Sequence, residues 1–250
     1  MIRHLIATTL LLCPTLALAT SVQFQTNMGD IEVELFDSAT PETVANFLAY
    51  VEDDSYNNTF FHRSVPGFIV QGGGFYLNDE QKIAPIASKP NVSNEPVYAN
   101  VRGTIAMAKK GGNPDSATNQ WFFNLADNTG NLDNQNGGFT VFGQVTQGMA
   151  IVDAIAAVPP SNQGGDFTGI PLKDWTAGSN VTEHLIIVES IVVLNADPDS
   201  AANLNPKTTT RTRSSSGGSG SPLYLAVLLM AFAARCVFKN MHARKRRFKV

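Results

Sequence analysis

Cysteine is missing from residues 20–200; the chain's two, Cys13 and Cys236, lie near its ends. No disulfide can staple the body, so its stability must come from a packed core. About 180 residues are ample for one. Positive charge is also scarce there. Residues 20–200 hold seven Lys and Arg against all 21 Asp and Glu, a net charge of −14. Residues 201–250 hold ten basic residues and no acid. The overall −3 therefore hides an acidic body and a basic end. An acidic body excludes binding along a phosphate backbone, which needs clustered Lys and Arg. Histidine is rare as well. Of His4, His62, His184 and His242, two lie outside the body and none has ligand spacing, which argues against a metal site. Gly72-Gly73-Gly74 is not followed by Lys-Ser/Thr, so it is no phosphate loop. Ser116 has no nucleophile-elbow motif that would pair it with His62 or His184.

The 250 residues allow one or two domains, and both ends read as addresses. Residues 1–19 have the form of a signal peptide. Arg3 is the positive start, Leu5–Leu12 the apolar run, and Ala17-Leu18-Ala19 the small-residue site for a signal peptidase. Residues 20–200 are the expected body, and residues 201–222 a flexible Gly/Ser-rich linker. Residues 223–238 read as a transmembrane segment and residues 239–250 as a basic cytoplasmic tail, a stop-transfer arrangement. Gly217-Gly218-Ser219, this apolar stretch and the basic run together resemble the GlyGly-CTERM sorting signal of Gram-negative bacteria. That resemblance implies export to the periplasm or cell surface. The membrane is then a partner through residues 223–238, either as a lasting anchor or until a rhomboid-like protease removes the segment.

Inside the body, apolar residues alternate over 22–36, predicting two half-buried strands around Asn27-Met28-Gly29-Asp30. Thr40 and Pro41 open a helix with Val44, Phe47, Leu48 and Val51 on one face. Residues 59–71 read as strand, turn, strand around Pro66-Gly67. Further strands are expected at 103–108, 120–125, 139–145 and 185–194, and a second helix at 147–158. Many short strands with two helices predict a closed, mainly β barrel with helices over its ends.

Three segments carry more. They are FFHRSVPGFIVQGGGF at 60–75, RGTIAMAKKGGNPDSATNQWFFN at 102–124 and NLDNQNGGFTVFG at 131–143. In this order and spacing they resemble the cyclophilin family of peptidyl-prolyl cis/trans isomerases. DSATNQ at 115–120 and ADN at 126–128 are similar to the bacterial periplasmic members. The resemblance spans about residues 22–194. It implies an eight-stranded antiparallel barrel capped by two short helices. It also implies proline-containing, unfolded or flexible polypeptides as substrates, and no cofactor.

Residue by residue, the resemblance implies Arg63 as the catalytic arginine and Phe68 and Gln71 as substrate-binding residues. Ile69 stands where methionine is common. Ala108 leaves room for the peptide, and Lys109 takes a place often held by asparagine. Phe122 matches the floor of the proline pocket and Leu132 its wall. Phe139 replaces a histidine or tyrosine. The tryptophan or phenylalanine usually beside Leu132 is missing, which implies weak cyclosporin affinity.

These residue types suit the chemistry. An X-Pro bond turns over a barrier of ~18–20 kcal/mol because amide resonance must be lost. As it twists, the proline nitrogen regains its lone pair. A donor aimed there helps the twisted state more than either planar state. Arginine is a permanently charged, planar donor. No proton is transferred, so His62 beside Arg63 needs no acid–base role. The rival expectation is a surface-displayed module that binds proline peptides with little turnover.

Overall fold

The computed structural model describes residues 20–195, 201 and 204–210. Strands β1 (Ser21–Thr26) and β2 (Gly29–Leu35) pair antiparallel, with Val22 opposite Val33 and Phe24 opposite Ile31. Their alternation sends those four side chains into the core. Helix α1 (Pro41–Glu52) follows Thr40, but the Thr40 hydroxyl donates back to the Phe36 carbonyl. The amides of Glu42 and Thr43 donate instead to the Glu95 carboxylate, at 3.3 and 2.9 Å. A carboxylate there also complements the positive end of the helix dipole.

The stretch 59–71 divides into β3 (Thr59–Phe60), β4 (Arg63–Val65) and β5 (Ile69–Gly72), with Pro66-Gly67 in the turn. Next come β6 (Phe75–Leu77), β7 (Ile83–Pro85), β8 (Thr104–Met107) and β9 (Trp121–Asn124). A single helical turn, α2 (Thr129–Leu132), precedes β10 (Val141–Gln147) and α3 (Met149–Ala157). The short strands β11 (Pro160–Ser161) and β12 (Ile170–Pro171) pair with each other, and β13 (Ile187–Asn195) follows them.

Eleven strands form one antiparallel sheet in the order β4-β5-β9-β8-β10-β2-β1-β13-β3-β6-β7. The expected closed eight-stranded barrel with two helical caps is corrected here. The sheet is open and curled, ends at β4 and β7, and is accompanied by three α-helices. Strands of two or three residues, as in β3, β6 and β7, carry too few ladder bonds to extend the wall to closure. The additional helix, α2, is one turn long and leaves no periodic trace in the sequence. The β4 edge is not bare, since the Ser64 amide donates to the Gly169 carbonyl at 2.7 Å.

The transmembrane expectation is also corrected. Among the described residues no helix is long and apolar enough to cross a membrane. The membrane partner and the anchored location built on residues 223–238 are not retained. Those residues, the leader at 1–19 and the basic tail at 239–250 lie outside the described residues.

The two faces of the sheet are built differently. Val70 of β5, Ile105 and Met107 of β8, Trp121 and Phe123 of β9 and Phe142 of β10 point into one core. Phe47 and Val51 of α1 and Val152 and Ile155 of α3 complete it. Trp121 is fully buried and packs edge-on against Phe24, Phe61 and Phe123. Its indole explains the glycine run. A Cβ on Gly72 would lie 2.7 Å from the ring, and one on Gly73 2.6 Å from Nε1. Only glycine permits that approach, and Gly73 also has φ +76°.

Residues 204–210 return to the body as a strap. Thr208 forms an antiparallel bridge with Tyr98. The Ala99 amide donates to the Lys207 carbonyl at 2.8 Å, and the Thr209 amide to the Val97 carbonyl at 3.0 Å.

Candidate active site

The face of the sheet opposite the core carries the candidate residues. In the ladders, Arg63 of β4 stands opposite Gln71 of β5, and Gln71 opposite Phe122 of β9. Phe122 stands opposite Ala106 of β8, and Ala106 opposite Val141 of β10. Directly opposed residues share a face, so Arg63, Gln71, Phe122 and Ala106 form one row across four strands. At ~4.8 Å per strand that row spans about 14 Å.

An apolar cluster surrounds the row. Ile69, Ala106, Phe122, Leu132, Phe139 and Val141 are buried in it, and Val65, Phe68 and Ala108 are half-buried against it. Phe122 and Phe139 meet edge to face, 5.9 Å between centroids. The structure thus gathers Phe68, Ile69, Ala108, Phe122, Leu132 and Phe139 into one cluster, with Arg63 and Gln71 at its end of the row.

Arg63 is half-buried, and burial lowers its pKa. A guanidinium still holds its proton in a protein. None of the ion pairs among the described residues uses it. Gln71 is held from the side: its Nε2 donates to Gln120 Oε1 at 2.8 Å. Gln120 lies within the DSATNQ segment, but only its packing across from Gln71 reveals this contact. A Cβ on Gly74 would sit 2.8 Å from the Gln120 amide, so the glycine makes room for it.

His62, next to Arg63 in sequence, is buried and edge-on to Phe75 at 5.2 Å. Burial pushes its pKa down to about 4, and the Arg63 charge adds to the shift. It is therefore neutral at pH 7, in keeping with a packing role.

Lys109 does not reach toward the row. Its Nζ donates to the carbonyls of Asn136 at 3.0 Å and Gly138 at 2.5 Å. It also sits 4.9 Å from the Phe139 ring centroid, a cation–π contact.

Behind the cluster runs a buried polar chain that the sequence does not announce. Asn128 Nδ2 donates to the Phe68 carbonyl at 2.9 Å and to Asn124 Oδ1 at 2.7 Å. Asn124 Nδ2 donates to Asn100 Oδ1 at 3.2 Å. Asn100 donates through its amide and Nδ2 to Asp133 Oδ1, and through Nδ2 to the Phe139 carbonyl at 3.1 Å. The chain ties the backbone at Phe68 to the backbone at Phe139. A separate recess of about 500 Å³ lies where α3 ends, lined in part by Pro159, Pro160 and Trp175. It shares no residue with the row.

The family model described as cyclophilin type peptidyl-prolyl cis-trans isomerase/CLD matches residues 21–177. A peptidyl-prolyl cis-trans isomerase of Acinetobacter baylyi is 47% identical over 146 residues, covering 58% of this chain and 76% of its own length. Peptidyl-prolyl cis-trans isomerase B of Escherichia coli is 40% identical over 178 residues, covering 69% and 98%. A crystal structure of a Cryptosporidium parvum cyclophilin type isomerase, obtained in the presence of the dipeptide Ala-Pro, is similar with a TM-score of 0.51 at 26% identity. That match covers 70% of this chain and 99% of the other.

Proposed function

This chain belongs to the cyclophilin family of peptidyl-prolyl cis-trans isomerases, and from that premise we propose how its own residues turn the X-Pro bond. The observation that carries the reading is the row Arg63–Gln71–Phe122–Ala106. The proline ring sits on Phe122 between Leu132 and Phe139, an apolar socket where each Å² buried contributes ~25 cal/mol. Ala106 and Ala108 leave space for the peptide on either side of it. Gln71, steadied by Gln120, holds the substrate backbone on one side of the bond while the other side rotates.

Arg63 aims its donors at the proline nitrogen. No covalent bond forms, so catalysis is differential binding of the twisted amide. Lowering the barrier by ~7 kcal/mol gives ~10⁵-fold acceleration. Partial burial strengthens the arginine's field, and no carboxylate among the described residues neutralises it. The likeness to a structure obtained with Ala-Pro supports a proline-containing peptide as occupant.

Exchange NMR on an Ala-Pro peptide tests the roles. Arg63→Ala is expected to lower kcat/KM by ~10²–10³-fold, the cost of one oriented donor, while retaining peptide binding. A variant as fast as the wild type would remove Arg63 from the mechanism. A wild type without acceleration would leave only a proline-binding module.

The leader-like residues 1–19 support export, with residues 20–200 as the working domain. Mass analysis of the native N-terminus is expected to start at Thr20. A mature chain that keeps Met1 would sink this. Neither the fold nor the relatives support the GlyGly-CTERM-like sorting signal.

A further inference from the structure

The strap at 204–210 donates one side-chain hydrogen bond beside the pocket wall. Thr209 Oγ1 donates to Asp133 Oδ2 at 3.1 Å. Asp133 is buried and follows Leu132, the pocket wall, directly in sequence. Its other oxygen accepts both hydrogen bonds from Asn100, and Asn100 also holds the Phe139 carbonyl. The Phe139 amide in turn donates to the Leu132 carbonyl at 2.9 Å. Asp133, Asn100, Phe139 and Leu132 thus form a closed ring that ties two walls of the socket together, and Thr209 anchors that ring from outside through the second oxygen of Asp133.

Two further contacts say the strap is seated rather than passing by. Leu204 packs against the same apolar cluster as Phe122, Leu132 and Phe139. The two backbone hydrogen bonds to Val97 and Ala99 hold the segment in antiparallel register.

We propose that Thr209 is a positioning residue for the proline pocket, acting through Asp133 on the placement of Leu132 and Phe139. The physical reason is the cost of leaving a buried carboxylate oxygen without a donor. Such an oxygen draws in water or turns to another amide, and either response moves the chain that carries Leu132. Thr209 touches no substrate. Its effect appears in how well the socket fits the ring, hence in KM more than in kcat.

The proposal rests on the pocket reading above, and one experiment separates the two. Full-length wild type, Thr209→Val and Thr209→Ser are compared by exchange NMR on an Ala-Pro peptide, well below their melting temperatures. Thr209→Val keeps the size and the backbone pairing but loses the donor. It is expected to raise KM by ~3–10-fold with kcat within about twofold, given ~1 kcal/mol for a hydrogen bond. It should also shift the amide resonances of Leu132 and Phe139. Thr209→Ser restores the donor and should return both readouts to wild type. A lower melting temperature with unchanged KM and unchanged resonances would reduce the strap to a structural brace and overturn the proposal. A wild type that shows no acceleration would overturn the pocket reading and the strap's role with it.

Discussion

Trp121, Phe122 and Phe123 are consecutive and chemically alike, yet the middle one belongs to a different part of the molecule. Trp121 and Phe123 face the sealed core, and Phe122 faces the cluster beneath Arg63 and Gln71. The same split runs through β5, with Val70 inward and Ile69 and Gln71 outward. It recurs in β8, with Ile105 and Met107 inward and Ala106 outward. The period-2 geometry of a strand assigns neighbours to opposite faces. On the inward face every side chain is closed over by α1, α3 and the far wall. On the outward face the aromatics are closed by short loops and by α2, one turn long. The first arrangement gives the sealed core, and the second gathers the apolar cluster on which the proposed proline pocket rests. One short strand thus contributes to both without either task constraining the other's residues.

The sharpest way to break this comparison is to truncate each face separately. Phe123→Ala should remove ~3–5 kcal/mol of unfolding free energy, because the enclosed core cannot collapse into the cavity. Denaturant unfolding reads this, and kcat/KM of the folded fraction should hardly change. A loss below ~1 kcal/mol would mean that the inward face is not the stabilising one.

The next largest effect concerns His62, buried against Phe75. Its folded pKa of about 4 lies below the ordinary 6.5, so the unfolded chain takes up a proton first as pH falls. The stability it contributes is fully present above pH 6.5 and is lost as pH falls toward 4. The full loss is about 3 kcal/mol, from ~1.36 kcal/mol per pH unit. His62→Gln should flatten this part of the curve relative to wild type. Parallel curves for the two proteins would show that His62 is not held neutral.

Phe122→Ala should be the mildest for the fold. Phe122 belongs to the smaller apolar cluster, whose half-buried members Val65, Phe68 and Ala108 can shift into the space, so the stability loss should be below that of Phe123→Ala. Peptide turnover should fall by ~10-fold in kcat/KM, about 1.4 kcal/mol. Equal stability losses for Phe122→Ala and Phe123→Ala would erase the distinction between the faces.

Much of this was legible in the sequence. Alternation over 22–36 and the apolar face Val44, Phe47, Val51 are where the core finds them. The three motif segments hold every member of the row, but no sequence pattern gives Ala106 or Gln120 a role of its own. Their significance lies in cross-strand register, and Gln120 reaches Gln71 across 49 residues of sequence. Closure of the sheet was not legible, because strand number and edges depend on two- and three-residue ladders that periodicity cannot register. The amide chain through Asn100, Asn124 and Asn128 was equally hidden. Asparagines in turn-rich sequence read as loop formers, and burial is what makes them a network. The strap is polar and rich in threonine, so composition alone places it in a linker, whereas its backbone hydrogen bonds place it on the body.

The close seat of Trp121 on Gly72 and Gly73 also makes the protein its own optical instrument. The chain has two tryptophans. One is sealed among Phe24, Phe61 and Phe123, next in sequence to the socket floor, with no hydrogen-bond partner for its Nε1. The other, Trp175, is half-exposed at the recess beyond α3. Fully sealed, Trp121 is expected to emit to the blue of Trp175, whose ring is half-exposed although its Nε1 is buried. A change in the blue component on adding peptide would report on the strand that carries Phe122, with the red component as an internal reference and no dye attached.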